Sequence, residues 1–256
     1  MKGIITFTTD FGTKDHYVGA MKGVILGINP DATVIDITHE IEKYNVMEAA
    51  IKLVNFYSYF PEGTVHVVVV DPGVGGRRKP LAVESGKHYF VGPDNGVFSL
   101  ILGKDETTRA FEIENNAYML EKVSNTFHGR DVFAPASAHI SLGVRLENLG
   151  SAVPTPVLLE LTEPDVTVTE IKGTVIYEDS FGNLITNIPS DLLSPRSKVQ
   201  IGRFTIEHIS DTYIDGREGE LIALVGSSGF LEISVNQGSA SSLINIEKPA
   251  VVVKLD

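Results

Sequence analysis

The N-terminal half of the sequence alternates short apolar runs with longer segments of helical periodicity. The apolar runs predict strands at residues 4–8, 33–37, 65–70, 81–84 and 88–91. The helical pattern covers residues 17–28, 46–60, 95–102 and 132–142. Strands that alternate with helices predict an α/β N-terminal domain, with a largely parallel sheet that helices cover on both faces.

Residue types at the helix ends agree with these boundaries. Asp15 and Asn45 stand just before two of the helical segments, and both types commonly cap helix N-termini. Gly143 follows the last segment, at the C′ position where a left-handed glycine often ends a helix. The capping residues therefore predict two helix starts and one helix end.

The pattern changes after residue 152. Pro154, Pro156 and Pro164 interrupt residues 153–166, which predicts a semi-rigid linker between a domain of residues 1–152 and a domain of residues 167–256. No strong helical pattern follows. Strand-like runs separated by Gly, Asp, Asn and Ser turns predict a small antiparallel β-barrel as the C-terminal domain. These runs cover residues 167–177, 184–188, 198–201, 221–225, 230–235 and 251–254.

Composition narrows the class of protein. The 256 residues include no cysteine, which excludes disulfides and cysteine-ligated metal sites. No apolar run approaches the roughly 18 residues of a membrane span, and the N-terminus enters a strand directly, so we expect no membrane segment and no signal peptide. A net charge of −12 disfavours nucleic acid as a partner. We therefore expect a cytoplasmic protein with a small-molecule ligand.

Three polar clusters follow predicted strands or precede a predicted helix. Asp10 follows the first strand, and Asp71 ends the most apolar strand with Arg78 seven residues later. His128 and Asp131 precede the last helix. Ligands of open α/β sheets bind outside the carboxyl ends of the strands, so we expect the three clusters to meet at one sheet edge. Taken singly, each aspartate is also a typical turn or capping residue.

The residues alone leave the type of chemistry open. Asp10, Asp71, His128 and Asp131 are possible ligands of a metal-dependent hydrolase, although Arg78 would be unfavourable beside a metal ion. In the second half, the segments EDSFGNLITN, GSSGF and NQGSA are compatible with ordinary turns, with Gly182 in a left-handed conformation.

Six motifs in order resemble the S-adenosylmethionine hydroxide adenosyltransferase family. They are TTDFGTKDHYVGAMKG, VVDPGVGGRR, VGPDNGVFS, TFHGRDVFAP, DSFGNLITNIP and SSGFLEISVNQGSA, and they span both halves of the chain. The family comprises adenosine-forming S-adenosylmethionine hydrolases related to the fluorinase and the chlorinase. The resemblance implies a catalytic triad of Asp71, Arg78 and His128 that handles water, and neither a metal nor a cofactor. Arg77 competes with Arg78 for the arginine position, and the spacing from Asp71 favours Arg78.

The resemblance also implies which residues bind the nucleoside. Asp10 would bind the ribose hydroxyls. Phe181 would stack on adenine, Asn183 would bond its edge, and the backbone near Gln237 would bond it as well.

For the methionine part, the resemblance implies Asp179 at the ammonium and Ser227 at the carboxylate. Tyr44 and Tyr213 are similar to aromatic pocket walls of the relatives. Gly226 departs from the family, which usually has asparagine before that serine.

The expected reaction is hydrolysis of S-adenosyl-L-methionine to adenosine and L-methionine, by in-line attack of water or hydroxide on ribose C5′. A sulfonium leaves as a neutral thioether, so the demand falls on the nucleophile, which a strand-end carboxylate can orient or deprotonate. The resemblance implies a homotrimer with sites between subunits. A non-catalytic protein that binds S-adenosylmethionine or adenosine is the alternative, which turnover would distinguish.

Overall fold

The computed structural model describes residues 3–105, 107–160, 162–246 and 249–255. The chain divides into two compact units, Met1–Leu159 and Glu160–Asp256. Each unit contains its own sheet, so the protein has a mixed α/β fold with two sheets. No helix within the described ranges is long and apolar enough to cross a membrane.

The first unit is built around a six-stranded sheet with the order β2-β1-β3-β5-β4-β6. Its strands are β1 (Ile4–Thr9), β2 (Thr33–Thr38), β3 (Val65–Val69), β4 (Pro80–Ser85), β5 (His88–Pro93) and β6 (Arg109–Glu112). Its α-helices are α1 (Tyr17–Ile28), α2 (Val46–Phe56), α3 (Ser99–Leu102) and α4 (Ala134–Ser141). Single 3₁₀ turns occupy Tyr57–Tyr59, Asn116–Tyr118 and Leu146–Asn148, and a π-helical turn occupies Gly129–Phe133.

Helices cover both faces of this sheet, as predicted. Strand β3 is completely buried, and its alternate residues belong to different cores. Val65 and Val67 pack in a core with residues of α1 and α4, whereas Val68 packs in a second core with residues of α2 and α3. This two-sided burial explains the continuous valine run.

The sheet is parallel in only one part. β2, β1, β3 and β5 pair in parallel, whereas β4 pairs antiparallel with both β5 and β6. A tight β4–β5 hairpin and a short edge strand explain the antiparallel part. Strand β6 was not predicted, because four residues carry too little periodic signal.

The second unit contains a nine-stranded sheet. Eight of its strands follow the order β11-β10-β15-β8-β9-β14-β13-β12, and the ninth, β7, pairs with β8. The strands are β7 (Asp165–Val166), β8 (Glu170–Glu178), β9 (Leu184–Pro189), β10 (Lys198–Ile201), β11 (Phe204–Ile206), β12 (Ile209–Ser210), β13 (Leu221–Val225), β14 (Phe230–Val235) and β15 (Ala250–Lys254). A short helix, α5 (Ala240–Ile244), and two 3₁₀ turns, Ser190–Leu192 and Tyr213–Asp215, complete it.

This second sheet is nearly barrel-shaped. Its described pairings are antiparallel except for β12 with β13. β11 and β13 come into contact although they stand far apart in the strand order, so the sheet curls on itself. Apolar residues from β8, β9, β10, β14 and β15 fill the interior.

Several helix boundaries differ from the prediction. Asn45 caps α2 as predicted, by accepting a hydrogen bond from Glu48 N at 3.1 Å. Helix α1 spans Tyr17–Ile28 as predicted, but Asp15 is not its cap, because His16 stands at the N-cap position and makes no side-chain capping bond. The residue after the C-cap of α4 is Gly143, at φ +92°, as predicted.

The helical segments 46–60, 95–102 and 132–142 were also partly wrong. The second helix ends at Phe56 and continues only as a 3₁₀ turn. Asn95 forms a turn in which its side chain accepts from Val97 N at 3.2 Å, so α3 starts at Ser99. The last helix is preceded by the π-helical turn, with Pro135 in its first turn.

Candidate active site

The ends of β1 and β3 carry the two aspartates that the sequence singled out. These strands are parallel neighbours, so Asp10 and Asp71 emerge at the same sheet edge. His128 joins them from the start of the π-helical turn. All three residues line one cavity of about 600 Å³ in the first unit. The predicted convergence of the three clusters is confirmed.

Asp71, Arg78 and His128 form one hydrogen-bonded network. The Nε of Arg78 donates to both carboxylate oxygens of Asp71 at 3.0 Å. Its Nη2 donates to Asp71 Oδ2 and, at 2.8 Å, to Nδ1 of His128. The side chains of Arg78 and Asp71 are only 8% and 5% exposed. Arg77, the competing arginine, is exposed, so the geometry selects Arg78 as the partner of Asp71.

The bond from Arg78 fixes the protonation state of His128. A guanidinium can only donate, so Nδ1 of His128 must be the unprotonated nitrogen. Burial, and then the neighbouring charge of Arg78, lower the pKa of His128 below its usual value. The ring is therefore neutral near pH 7 and carries its proton on Nε2.

The loop after β3 holds this network in place. Gly75 lies at φ +73°, and a Cβ there would stand 2.1 Å from the carbonyl oxygen of Asn125. Only glycine fits this left-handed position and close approach. Asn95 donates from Nδ2 to the Val70 carbonyl at 2.8 Å, and the Arg78 guanidinium lies 5.4 Å from the Phe133 ring centre. The pair is thus anchored from several directions.

Asp10 is buried in a turn that residues 39–44 clamp. Its Oδ2 accepts a bond from Tyr44 N at 3.0 Å, and Lys43 Nζ donates to its main-chain carbonyl. Tyr44 has φ +67°, a strained conformation for a residue with a large side chain, and the residue is 69% exposed. Such strain is commonly found at functional sites.

An aromatic wall of the cavity was missed from the sequence. Phe11, Tyr17 and Phe127 all line the cavity and pack on one another, with the Tyr17 and Phe127 ring centres 5.1 Å apart. The FG and HY pairs around Asp10 and the FHG motif were signals for these residues, but their contact depends on the tertiary fold.

Asp131 does not belong to a metal-ligand set. It is fully buried, its Oδ1 accepts from Arg130 Nε at 2.6 Å, and its Oδ2 accepts from Ser124 N at 2.8 Å. Asp71 is likewise paired, with Arg78. Among the residues described, no three His, Asp or Glu side chains are grouped to hold a metal ion. The ligand set considered for a metal-dependent hydrolase is therefore not assembled.

In the second unit, the β8–β9 turn brings Asp179, Phe181 and Asn183 together. Oδ1 of Asp179 accepts from Phe181 N at 2.9 Å and from Asn183 N at 3.0 Å, and its Oδ2 accepts from Asn183 Nδ2 at 2.9 Å. Gly182 has φ +81°, the left-handed conformation that was predicted. In this turn Asn183 is buried, whereas Phe181 is 76% exposed.

Tyr213 is tied to a buried glutamate that the sequence did not single out. Its hydroxyl donates to Glu232 Oε1 at 2.7 Å, and Ser234 donates to the same oxygen at 2.7 Å. Burial and Glu232 raise the pKa of Tyr213 to about 12. A Cβ on Gly226 would stand 2.5 Å from Glu232 Oε2, so a larger residue at this position requires the Glu232 carboxylate to move.

The remaining predicted residues lie on exposed turns of the second unit. Ser227 follows β13, and Gln237 follows β14 with φ +56°. The structure thus assembles Asp10, Tyr44, Asp71 and His128 around one cavity of the first unit, and Arg78 is hydrogen-bonded to both Asp71 and His128. In the second unit, the charge of Asp179 contributes to the raised pKa of Tyr213, and Ser241 N, four residues after Gln237, donates to the Gly182 carbonyl at 3.0 Å.

Comparison with known proteins places this geometry in a family. The N-terminal domain model of SAM hydroxide adenosyltransferases matches residues 5–150, and the C-terminal domain model matches residues 173–253. The chain is 39% identical over 259 residues to an (R)-S-adenosyl-L-methionine hydrolase of Methanocaldococcus jannaschii, covering 95% of this chain and 92% of the relative. A protein of the same name from Thermus thermophilus is 37% identical over 252 residues, 95% of this chain and 96% of the relative.

A solved structure has the same fold. The crystal structure of an uncharacterized conserved protein from Thermotoga maritima superposes with a TM-score of 0.91 at 39% identity, covering 97% of this chain and 99% of that one. Because both domain models match and the relatives align over nearly the whole chain, this protein belongs to the SAM hydroxide adenosyltransferase family.

Proposed function

We propose that this protein hydrolyses S-adenosyl-L-methionine to adenosine and L-methionine. The observation that carries the proposal is the buried Asp71–Arg78–His128 network at the wall of a cavity that Asp10 also lines. Family membership and relatives named (R)-S-adenosyl-L-methionine hydrolase support the same reaction. The relatives' names specify the R configuration, and we extend that configuration at sulfur to the substrate of this chain.

In the proposed mechanism a water molecule attacks ribose C5′ in line with the C–S bond. The O–C5′ bond forms while the C5′–S bond breaks, and its electron pair stays on sulfur, which leaves as the neutral thioether of methionine. The water must lose a proton. His128 presents an N–H at Nε2 and cannot accept that proton there, whereas Asp71 retains free lone pairs beside its bonds to Arg78. Asp71 is therefore the proton acceptor, and His128 orients the water by donating to it.

Arg78 has two roles in this mechanism. Its two donors fix the orientation of the Asp71 carboxylate, and its third contact fixes the tautomer of His128. Preorganised donors and acceptors in a site of low exposure need little rearrangement during the reaction, which is the main source of electrostatic catalysis.

The substrate-binding roles form part of the proposal. Asp10 holds the ribose hydroxyls, and Tyr44 and Tyr213 form aromatic walls. The exposed ring of Phe181 stacks on adenine, and Asn183 and the backbone near Gln237 bond its edge. Asp179 meets the ammonium of the methionine part, and Ser227 meets its carboxylate. One N–H of the Asn183 amide donates to Asp179, which leaves its second N–H and its carbonyl oxygen for the adenine edge.

The two sets of residues lie in different units, and we propose a cytoplasmic homotrimer with each site between subunits. The proposed domains are residues 1–152 and 167–256, with residues 153–166 as linker. Light scattering coupled to size-exclusion chromatography measures the assembly mass. A monomer that turns over substrate at high dilution would contradict the intersubunit site.

The deciding experiment is incubation with (R)-S-adenosyl-L-methionine in ¹⁸O-labelled water, followed by mass spectrometry of the products. Label is expected in the 5′-hydroxyl of adenosine and not in methionine. Methylthioadenosine, free adenine or labelled methionine would each contradict attack at C5′. Saturable calorimetric binding without product would favour the non-catalytic binder. Substrate epimerised at sulfur should be consumed only to the extent of its R form.

A further inference from the structure

A buried chain of polar side chains runs behind Asp10. Thr9 Oγ1 lies 2.9 Å from Nδ1 of His39, and both residues are almost fully buried. His39 Nε2 lies 3.1 Å from Asp36 Oδ1, although off the axis of a well-directed hydrogen bond. Asp36 is half exposed and pairs at 2.5 Å with Lys22 of α1. The chain therefore extends from the surface of the molecule to the residue beside Asp10.

The direction of the hydrogen bonds in this chain follows from its ends. The backbone N–H of Phe11 donates to Thr9 Oγ1 at 3.3 Å. The Thr9 hydroxyl has one proton of its own, which in these dry surroundings goes to Nδ1 of His39. The proton of a neutral His39 then sits on Nε2, facing the carboxylate of Asp36. The opposite tautomer would place a bare nitrogen lone pair against that carboxylate.

The same residues hold the backbone around Asp10. The N–H of Gly12 donates to the His39 carbonyl at 2.7 Å, and the N–H of Ile41 donates to the Thr9 carbonyl at 3.3 Å. Thus the bond from Phe11 N to Thr9 Oγ1 closes a turn around Asp10. Segment 39–44 holds Asp10 from the other side, through the bond from Tyr44 N to its carboxylate. The β1–β2 register shifts between Phe7 and Thr8, just before this point. Bulges of this kind commonly re-aim side chains next to active sites.

We propose that His39 is a positioning residue for ribose recognition, which acts through the Thr9 hydroxyl to fix the turn that presents the Asp10 carboxylate. The proposal rests on the proposed function, in which Asp10 binds the ribose hydroxyls. His39 does not touch the substrate. Its loss frees the Thr9 hydroxyl to rotate and removes the acceptor that orients the 9–11 turn.

The test compares adenosine with 2′,3′-dideoxyadenosine by calorimetry. His39→Phe keeps an aromatic ring against Phe7 but removes the acceptor, and Thr9→Val removes the hydroxyl at nearly constant volume. Each variant should weaken adenosine binding about tenfold, the scale of one buried hydrogen bond, and should change binding of the dideoxy ligand less than twofold. The double variant should lose no more than either single variant, because both act through one contact.

Thr8 offers a matched control in the same strand. Its hydroxyl is buried and has no hydrogen-bond partner among the described residues, so Thr8→Val should leave the affinity for both ligands unchanged. Thr9→Ser keeps the hydroxyl and should retain most of the wild-type affinity. Asp36 lies at the exposed end of this series of polar side chains, so Asp36→Asn leaves the core intact. It should weaken adenosine binding by a smaller factor and leave binding of the dideoxy ligand unchanged.

Asp10→Ala distinguishes the two levels of the proposal. If Asp10→Ala leaves adenosine binding unchanged, the ribose assignment in the proposed function is wrong. If Asp10→Ala weakens adenosine selectively while His39→Phe, Thr9→Val and Asp36→Asn do not, the role of His39 is overturned and the ribose assignment stands. Equal losses for adenosine and the dideoxy ligand would reduce His39 to a general structural residue. Thermal melts by circular dichroism identify any variant that does not fold, and the Asp36→Asn result then decides.

Discussion

Replacing Asp71 by asparagine should abolish turnover while leaving substrate binding nearly intact. Asparagine retains the shape of the side chain and one acceptor for Arg78, but it cannot take a proton from water. Loss of a positioned general base costs about 10²–10⁴ in rate. The assay is chromatographic measurement of adenosine released from S-adenosylmethionine, with calorimetry for the affinity, which should change less than about threefold on the scale of a surface contact.

The structure also predicts the effect of this substitution on stability. Asp71 and Arg78 are both buried, so removing one charge leaves the other uncompensated at a cost of about 3–5 kcal/mol of folding free energy. Removing both, in Asp71→Ala/Arg78→Met, should cost less than removing either alone. Turnover should stay absent in the double variant, which separates lost chemistry from lost folding.

A neighbouring pair serves as the matched control. Lys79, the residue after Arg78, forms an ion pair with Glu112 at 2.8 Å. The side chains of this pair are more exposed than those of Asp71 and Arg78. Glu112→Gln should change the rate and the stability little. If Asp71→Asn keeps more than a tenth of the wild-type rate, or loses binding in step with rate, then Asp71 is not the acceptor of the water proton.

Three further predictions follow from other parts of the structure. Phe181→Ala should raise the dissociation constant for adenosine by about 5- to 150-fold, the range of base–aromatic stacking, whereas Tyr59→Ala, an exposed ring in the other unit, should not; equal affinities would move adenine elsewhere. As the pH is lowered, kcat should begin to fall only below pH 6.5, because the lowered pKa keeps His128 neutral and able to accept the bond from Arg78. A fall of kcat that begins above pH 7 would contradict this tautomer. Burial and His88 lower the pKa of His66 to about 3, so the unfolded state binds the proton first as pH falls below about 6.5. The free energy of unfolding should then drop by about 2 kcal/mol between pH 6 and 4.5. Urea titrations at several pH values should show that this free energy depends less steeply on pH in His66→Gln than in the wild type; an identical pH dependence would exclude His66 as the source.

The sequence predicted the residues at strand ends better than the residues that support them. Asp10 and Asp71 were found because each follows an apolar run, and the geometry of parallel strands then requires a shared edge. His39 and Asn125 were not found, because their roles depend on contacts between loops that no local pattern encodes. The choice between Arg77 and Arg78 likewise needed the observed orientation of the loop after β3.

The errors in the fold have similar causes. Residues 95–98 have helical periodicity, but the Asn95 side chain competes with the helix by bonding the backbone of its own turn. Strand β6 and helix α5 are each too short to carry a periodic signal. The antiparallel placement of β4 and β6 depends on a hairpin whose apolar runs read the same in either orientation.

The charges around the triad determine which nucleophile the proposed site accepts. Asp71 and Arg78 form a neutral pair and His128 is neutral, so the groups that surround the nucleophile carry no net positive charge. An anion would instead face the free lone pairs of the Asp71 carboxylate. Two like charges 4 Å apart repel by about 4 kcal/mol at an effective dielectric constant near 20, and Arg78 offsets only part of this repulsion because its charge is shared with the Asp71 carboxylate that it pairs with. Water approaches as a neutral molecule and donates a proton to the same lone pairs. The nucleophile must therefore bring a proton of its own, which favours hydrolysis over transfer to a halide.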